Sequence, residues 1–317
     1  MRRFPPRPGL IYGVFGSLSD QVLASQRLGM EHTFRTLDPA PSLVVVAESF
    51  EGEPAWEAWC RDRGIVHLPF PTGPRHRGLW QKEALWDLAS AWLHRQHPEI
   101  RRAVFLDMDL EPEAIDWLAQ IDQTMDEGVM AFQPWSTAHD TVESDIGGIS
   151  RCWQMMQHLP PPGQPGFSWA LELSWLRAAG GWRPCSHPLG GADTIASLSW
   201  LQTWGPLPPM YPWMVHEIVT YTGPKVPPRG LDVHVIHNTH GPASARSYPL
   251  RSLALTVVAR HPSQVVEQDG TGLLCTRDNL EGRAFSLFLA RREGWNSDPE
   301  TMGRLWKTCL EESRTAP

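Results

Sequence analysis

Two carboxylates one residue apart, Asp107 and Asp109, follow directly on the apolar run Ala103-Val104-Phe105-Leu106. The run reads as a buried strand. Residues i and i+2 of a strand point to the same side, and in open α/β sheets ligands bind beyond the carboxyl ends of strands. A carboxylate pair at that place suits a divalent cation that neutralises phosphate oxygens; it would also serve as turn chemistry. Far downstream, His237-Asn238-Thr239-His240-Gly241 offers two imidazoles, which suit Mn²⁺ better than Mg²⁺ or serve in polar packing. Three apart on a regular strand, they face opposite ways, so one metal takes only one of them directly. Arg246 and Arg251 carry planar guanidinium groups fit for a diphosphate or for a solvated face. Lys82-Glu83 opens a helix, where a carboxylate favours the N-terminus. Asp193, after Gly190-Gly191-Ala192, stands where a helix N-cap would.

Composition narrows the classes. The chain has 317 residues, 41% hydrophobic and 20% charged, with a formal net charge of −7. That is enough for one large α/β domain or two smaller ones with a packed core. No long basic block occurs, which argues against a nucleic-acid partner. Five cysteines, odd in number and scattered without a Cys-X-X-Cys, point to reduced thiols and a cytoplasmic protein. No apolar run reaches transmembrane length, and the apolar part of residues 10–15 is short and glycine-broken, better a first strand than a signal peptide. Sixteen tryptophans are many for this length; rings can stack on sugars but more often pack in cores.

The elements that must position these residues alternate between strand and helix. Strands are expected at 10–16, 42–47 (running into Glu48), 65–68, 103–106, 129–134 and 232–236, by β-branched runs or alternation. Helices are expected at 20–34, 54–63, 80–97, 114–125 and 173–179. The helix 80–97 carries an apolar stripe of Ala84, Leu85, Leu88, Ala91 and Trp92 and stops at His97-Pro98. Residues 206–228, rich in Pro and aromatics, stay unassigned. The pattern predicts an α/β fold with a mostly parallel mixed sheet flanked by helices. A main domain over 1–255 is expected, with a C-terminal helical extension over 256–317 whose helices lie near 281–292 and 299–312.

Five segments occur in one order: Trp80-Gln81-Lys82-Glu83; Asp107-Met108-Asp109; Gly166-Phe167-Ser168-Trp169-Ala170; Gly190-Gly191-Ala192-Asp193; and His237-Asn238-Thr239-His240-Gly241. This order resembles bacterial and phage-type GT-A glycosyltransferases. The middle part is also similar to the C-terminal region of animal galactosyltransferases. The likeness covers roughly residues 42–251. The chain departs from the pattern at Thr239, where an aromatic residue is frequent, and at Ala192-Asp193, where Glu-Asp is frequent.

The resemblance implies a GT-A (nucleotide-diphospho-sugar transferase) fold and transfer of a sugar from a nucleotide-diphosphate donor to a glycan or other hydroxyl acceptor, inverting at the anomeric carbon. It implies that Asp109 binds Mn²⁺ or Mg²⁺, with Asp107 on the metal or the ribose. His240 takes the place of the late histidine ligand, with His237 beside it. Glu48, Lys82, Arg246 and Arg251 fall to the donor, Trp169 to the acceptor sugar. Asp193 falls to the base that deprotonates the acceptor. Two rivals remain: a non-catalytic nucleotide-sugar or carbohydrate-binding protein on the same fold, and a metal-dependent hydrolase using Asp107, Asp109, His237 and His240.

Overall fold

Along β1 (Gly9–Phe15) and β4 (Arg102–Leu106), successive side chains go to opposite cores. Leu10, Tyr12, Val14, Val104 and Leu106 pack on one side, and Ile11, Ala103 and Phe105 on the other. This is the period-two rule of a sheet buried on both faces. In the computed structural model, which describes residues 7–15, 20–140, 148–159, 163–202, 210–238 and 248–315, these two strands lie at the centre of a six-stranded sheet. Its order is β3-β2-β1-β4-β9-β6, with β2 at Val44–Phe50, β3 at Val66–Pro71, β6 at Ala131–Phe132 and β9 at Ser168–Glu172. The first four strands are parallel; β9 runs antiparallel between β4 and β6. The fold is therefore mixed α/β with a parallel-rich sheet flanked by helices, as the alternation predicts.

The chain steps outward from β1 to β2 and β3, then returns to the other side of β1 as β4. That reversal opens a crevice at the carboxyl ends of β1 and β4, the usual ligand position in such sheets. Asp107 is the first residue past β4.

Helix α3 (Lys82–Gln96) lies on the face that holds Ala103 and Phe105 and supplies Leu85, Trp86, Ala89 and Leu93 to that core. Burying a side chain of this kind contributes about 1.5–3 kcal/mol. The buried stripe is turned from the expected one: Leu88, Ala91 and Trp92 are half-buried, while Lys82, Glu83 and Trp86 are buried. The cause is the helix's first turn, which is enclosed on two sides. Ala84 looks away from the sheet into a third core formed with the C-terminal segment.

A second sheet, β5-β10-β7-β8, carries the late histidine segment, with β5 at Leu110–Pro112, β7 at Thr137–Asp140, β8 at Gly148–Ile149 and β10 at His234–His237. The C-terminal segment is less purely helical than expected. Its helices Leu280–Ala290 and Pro299–Thr315 are preceded by a hairpin of Val266–Gln268 with Leu274–Thr276. The expected boundary at 255/256 falls inside the helix Tyr248–Val258. Val265, Phe285, Phe288, Met302 and Cys309 share one core with Leu79, Ala84, Ile195 and Leu198. The unassigned stretch contains a helix, Pro212–Val219, begun by a proline at its first position. All five cysteines are free thiols. Among the described residues, no helix is long and apolar enough to cross a membrane.

Candidate functional site

The strand phase that buries Ala103 and Phe105 carries on to Asp107, so its carboxylate emerges on the α3 side. There it meets Lys82, one turn before Trp86. Lys82 Nζ lies 3.0 Å from Asp107 Oδ1, 3.7 Å from Asp193 Oδ2 and 3.8 Å from Glu83 Oε1. It also lies 4.8 Å from the centre of the Trp86 ring. The lysine is only 8% exposed. Burial alone would lower its pKa, but the carboxyls of Asp107, Glu83 and Asp193 together raise it above the usual lysine value. The ammonium is thus a fixed positive charge.

The carboxyls around it respond to the same enclosure. Burial, with the charges of Asp193 and Asp107 adding to it, pushes Glu83 up to about 8 against the pull of Lys82. Burial also raises Asp107, helped by Asp109 and Asp193 and opposed by Lys82. Glu83 is 1% exposed, and its Oε1 has no hydrogen-bond partner.

Asp193 stands in the first turn of helix α7 (Ala192–Trp200), whose N-cap is Gly191 rather than Asp193. Its Oδ1 accepts from the Thr194 backbone N–H at 2.6 Å. Oδ2 faces Lys82 on one side and Gly166 on the other.

Asp109 and His237 come together although 128 residues separate them in the chain. β10 pairs antiparallel with β5 in a register that sets His237 opposite Leu110. Asn238 N–H donates to the Asp109 carbonyl at 2.7 Å, and His237 Nε2 lies 3.4 Å from Asp109 Oδ2. The His237 ring stacks on Phe167 at 5.2 Å. Helix α1 (Asp20–Thr36) fastens this junction. Ser25 Oγ donates to the Asn238 carbonyl at 2.8 Å, and Gly29 packs so closely that a Cβ would lie 2.6 Å from the Met108 carbonyl oxygen. Glu111 accepts from the Asn238 side chain and lies 3.2 Å from His32 Nδ1.

For a divalent cation, these residues are right in kind. Asp109 and His237 form a carboxylate–imidazole pair of the sort Mn²⁺ takes, and Asp107 is close enough to feel the charge of Asp109. They fall short in number. Among the described residues, no group of three His, Cys, Asp or Glu side chains is placed to hold a metal ion. His240 and Arg246 lie outside the described residues. The sequence favours His240 over His237 as the metal ligand; of the two, His237 lies among the described residues, where it is seated on Asp109.

Three expected residues stand apart from the cluster. Glu48 accepts from the backbone N–H groups of Ala55 at 2.7 Å and Trp56 at 3.2 Å, and its Oε2 lies 2.8 Å from His67 Nε2. Those bonds fold residues 51–56 back on the sheet and commit the carboxylate to the protein itself. Arg251 donates to the Leu189 carbonyl at 3.1 Å and lies 5.1 Å over the Trp80 ring, bracing the loop that leads to Asp193. Trp169 corrects the sequence reading. It is 0% exposed, donates from Nε1 to the Pro165 carbonyl at 2.8 Å, and packs edge-on against Trp182 and Trp200. Its place on β9, in phase with the α3 core, leaves no ring face for a sugar.

The structure adds residues the sequence reading passed over. Arg151, buried, donates to Ser197 Oγ at 2.8 Å and to the Gly163 carbonyl at 3.3 Å; burial lowers it to about 10 despite the nearby Asp193. His187, also buried, lies 3.1 Å by Nε2 from Ser252 Oγ and is lowered by burial to about 4, so its imidazole is neutral. Neither residue belongs to a periodic pattern or a spaced motif, so nothing local marked them. Glu83 stands beside Lys82 in the sequence, where a carboxylate at a helix start has an ordinary structural role.

No family profile matches the chain, and no curated protein matches it. Solved structures do. A mannosyltransferase from Pyrobaculum calidifontis, in complex with GDP-Man and Mn²⁺, aligns with TM-score 0.45 and 14% identity over 99% of this chain and 76% of its own. S. aureus TarS 1–349 in complex with UDP aligns with TM-score 0.43 and 7% identity over 79% of this chain and 64% of its own. Glucosyl-3-phosphoglycerate synthase from Mycobacterium tuberculosis, with Mn²⁺, UDP and phosphoglyceric acid, aligns with TM-score 0.35 and 12% identity over 61% and 63%. The present chain spans less than two thirds of the last two.

Proposed function

We propose that this chain is a metal-dependent GT-A glycosyltransferase that moves a sugar from a nucleotide-diphosphate donor to an acceptor hydroxyl, inverting at the anomeric carbon. One observation carries the reading. A single buried ammonium, Lys82, gathers Asp107 at the crossover crevice and Asp193 in the first turn of α7 within 4 Å. A donor-side carboxylate and a candidate base thus border one space. The order of the five sequence motifs supports the same assignment.

In this reading Asp109 and His237 hold the cation, with His240 the further candidate donor from the chain. A bound Mn²⁺ or Mg²⁺ supplies a charge sink for the departing diphosphate. Lys82 adds a fixed positive charge beside it, and Asp107 shares its carboxylate between the ammonium and the donor. Thr194 occupies Asp193 Oδ1, which leaves Oδ2 to take the acceptor proton. Enclosure strengthens each of these interactions by lowering the local dielectric.

Calorimetry of UDP and GDP binding tests the donor half. Binding is expected with Mn²⁺ and lost on chelation and in Asp109→Ala. Unchanged affinity in both would overturn the proposal. Release of free sugar or transfer from UDP- or GDP-sugars then separates an enzyme from a binding protein. Hydrolysis of phosphate esters without sugar transfer would favour the hydrolase instead.

A further inference from the structure

We infer that the turn Gly166-Phe167 is the positioning element that aims the Asp193 carboxylate and registers it against the donor side. The inference rests on the reading of Asp193 as the base. Gly166 packs directly on Asp193: a Cβ on residue 166 would lie 2.8 Å from Oδ2, with no other atom closer than 3.9 Å. The backbone has no freedom to retreat. The Gly166 carbonyl accepts from Gln133 Nε2 at 3.2 Å and from Ser168 N–H at 3.0 Å. Gln133 is fully buried, holds the Gln164 carbonyl at 3.0 Å and accepts from Cys152 N–H at 2.9 Å. Arg151 ties the same strap to helix α7 through Gly163 and Ser197.

Phe167 completes the link. Its φ is +73°, a backbone region bulky residues rarely adopt, and such outliers persist where the surroundings enforce them. Its carbonyl accepts from Asp107 N–H at 2.9 Å, and its ring stacks on His237. Two consecutive residues therefore touch Asp193, Asp107 and His237.

Gly166→Ala is the discriminating change. Residue 166 is not among the positive-φ positions, so alanine is permitted by the backbone. The added methyl meets only the free end of a side chain, so the carboxylate swings aside while the fold is kept. A reacting group misplaced by about 1 Å costs about 10²-fold in rate, so a smaller displacement lowers kcat about 10- to 100-fold. Melting temperature and UDP or GDP affinity with Mn²⁺ stay near wild type. In an Asp193→Ala background the same change costs nothing further, because no carboxylate remains to displace.

Wild-type kcat in Gly166→Ala, an equal loss in the Asp193→Ala background, or a loss of nucleotide affinity would each overturn the inference alone. So would a melting temperature far below wild type, since the backbone would then have given way instead of the carboxylate. Wild-type turnover in the Asp193→Ala single variant would overturn the base reading itself, and the inference with it.

Discussion

Replacing Lys82 by methionine tests the electrostatics of the site without any substrate. The ammonium lies within 4 Å of three carboxyls, buried Glu83 and half-buried Asp107 and Asp193. Removing one partner from a buried ionic cluster costs about 3–5 kcal/mol, because the remaining charges keep their desolvation penalty. At roughly 1.5 °C per kcal/mol for a chain of this length, from about 2.1 cal/mol/K of unfolding entropy per residue, Tm should fall by roughly 5–8 °C. The loss should depend on pH with a definite sign. Glu83 titrates at about 8 when folded, against 4.5 ordinarily. Between those values the folded state holds more protons than the unfolded state, so stability falls as pH rises through the window. The raised lysine contributes stability throughout this range, because it is charged below its own unfolded pKa. Without it, Glu83 and Asp107 lose the charge that favours their ionised forms, so the deficit of Lys82→Met is largest above pH 8. It shrinks toward pH 5, where the carboxyls take up protons. Calorimetric melting of both proteins at pH 5.5 and 8.5 measures this directly. Equal deficits at the two pH values would refute the cluster as described, and so would no deficit at pH 8.5.

Three further outcomes follow from the same geometry. Glu83→Gln, which makes the neutral form permanent, should melt like wild type at pH 5.5 and above it at pH 8.5; a drop at pH 8.5 would show that the charged form is the one the fold uses. Asp193→Asn should lower turnover by about 10²–10⁴-fold while calorimetry finds donor affinity intact; near-normal turnover would remove it from the catalytic role. Trp169→Ala should cost about 3–5 kcal/mol of stability as a buried indole, read as a fall in Tm; a normal Tm with a raised acceptor KM would restore the sugar-stacking role.

What the sequence determined by itself is what short-range physics encodes. Ala103–Leu106 is apolar on every residue and reads as a strand covered on both faces, which sets the carboxylates after it at a strand end. Lys82 begins α3 because the apolar residues behind it recur at helical spacing. The alternation of such segments predicts the α/β layering and a mostly parallel sheet. The tertiary structure decided everything that depends on distant partners. That β9 inserts antiparallel beside β4, carrying Trp169 into the core and not toward a ligand, depends on pairing between residues 62 to 70 positions apart. The antiparallel register of β10 on β5 chose His237 to meet Asp109, a choice strand alternation leaves open because it says which residues share a face and not what they face. The clustering of Lys82, Glu83, Asp107 and Asp193 is likewise a product of enclosure. Each is an ordinary surface residue by type, and only the burial of the first turn of α3 between sheet and C-terminal segment makes one ammonium the shared partner of three carboxyls.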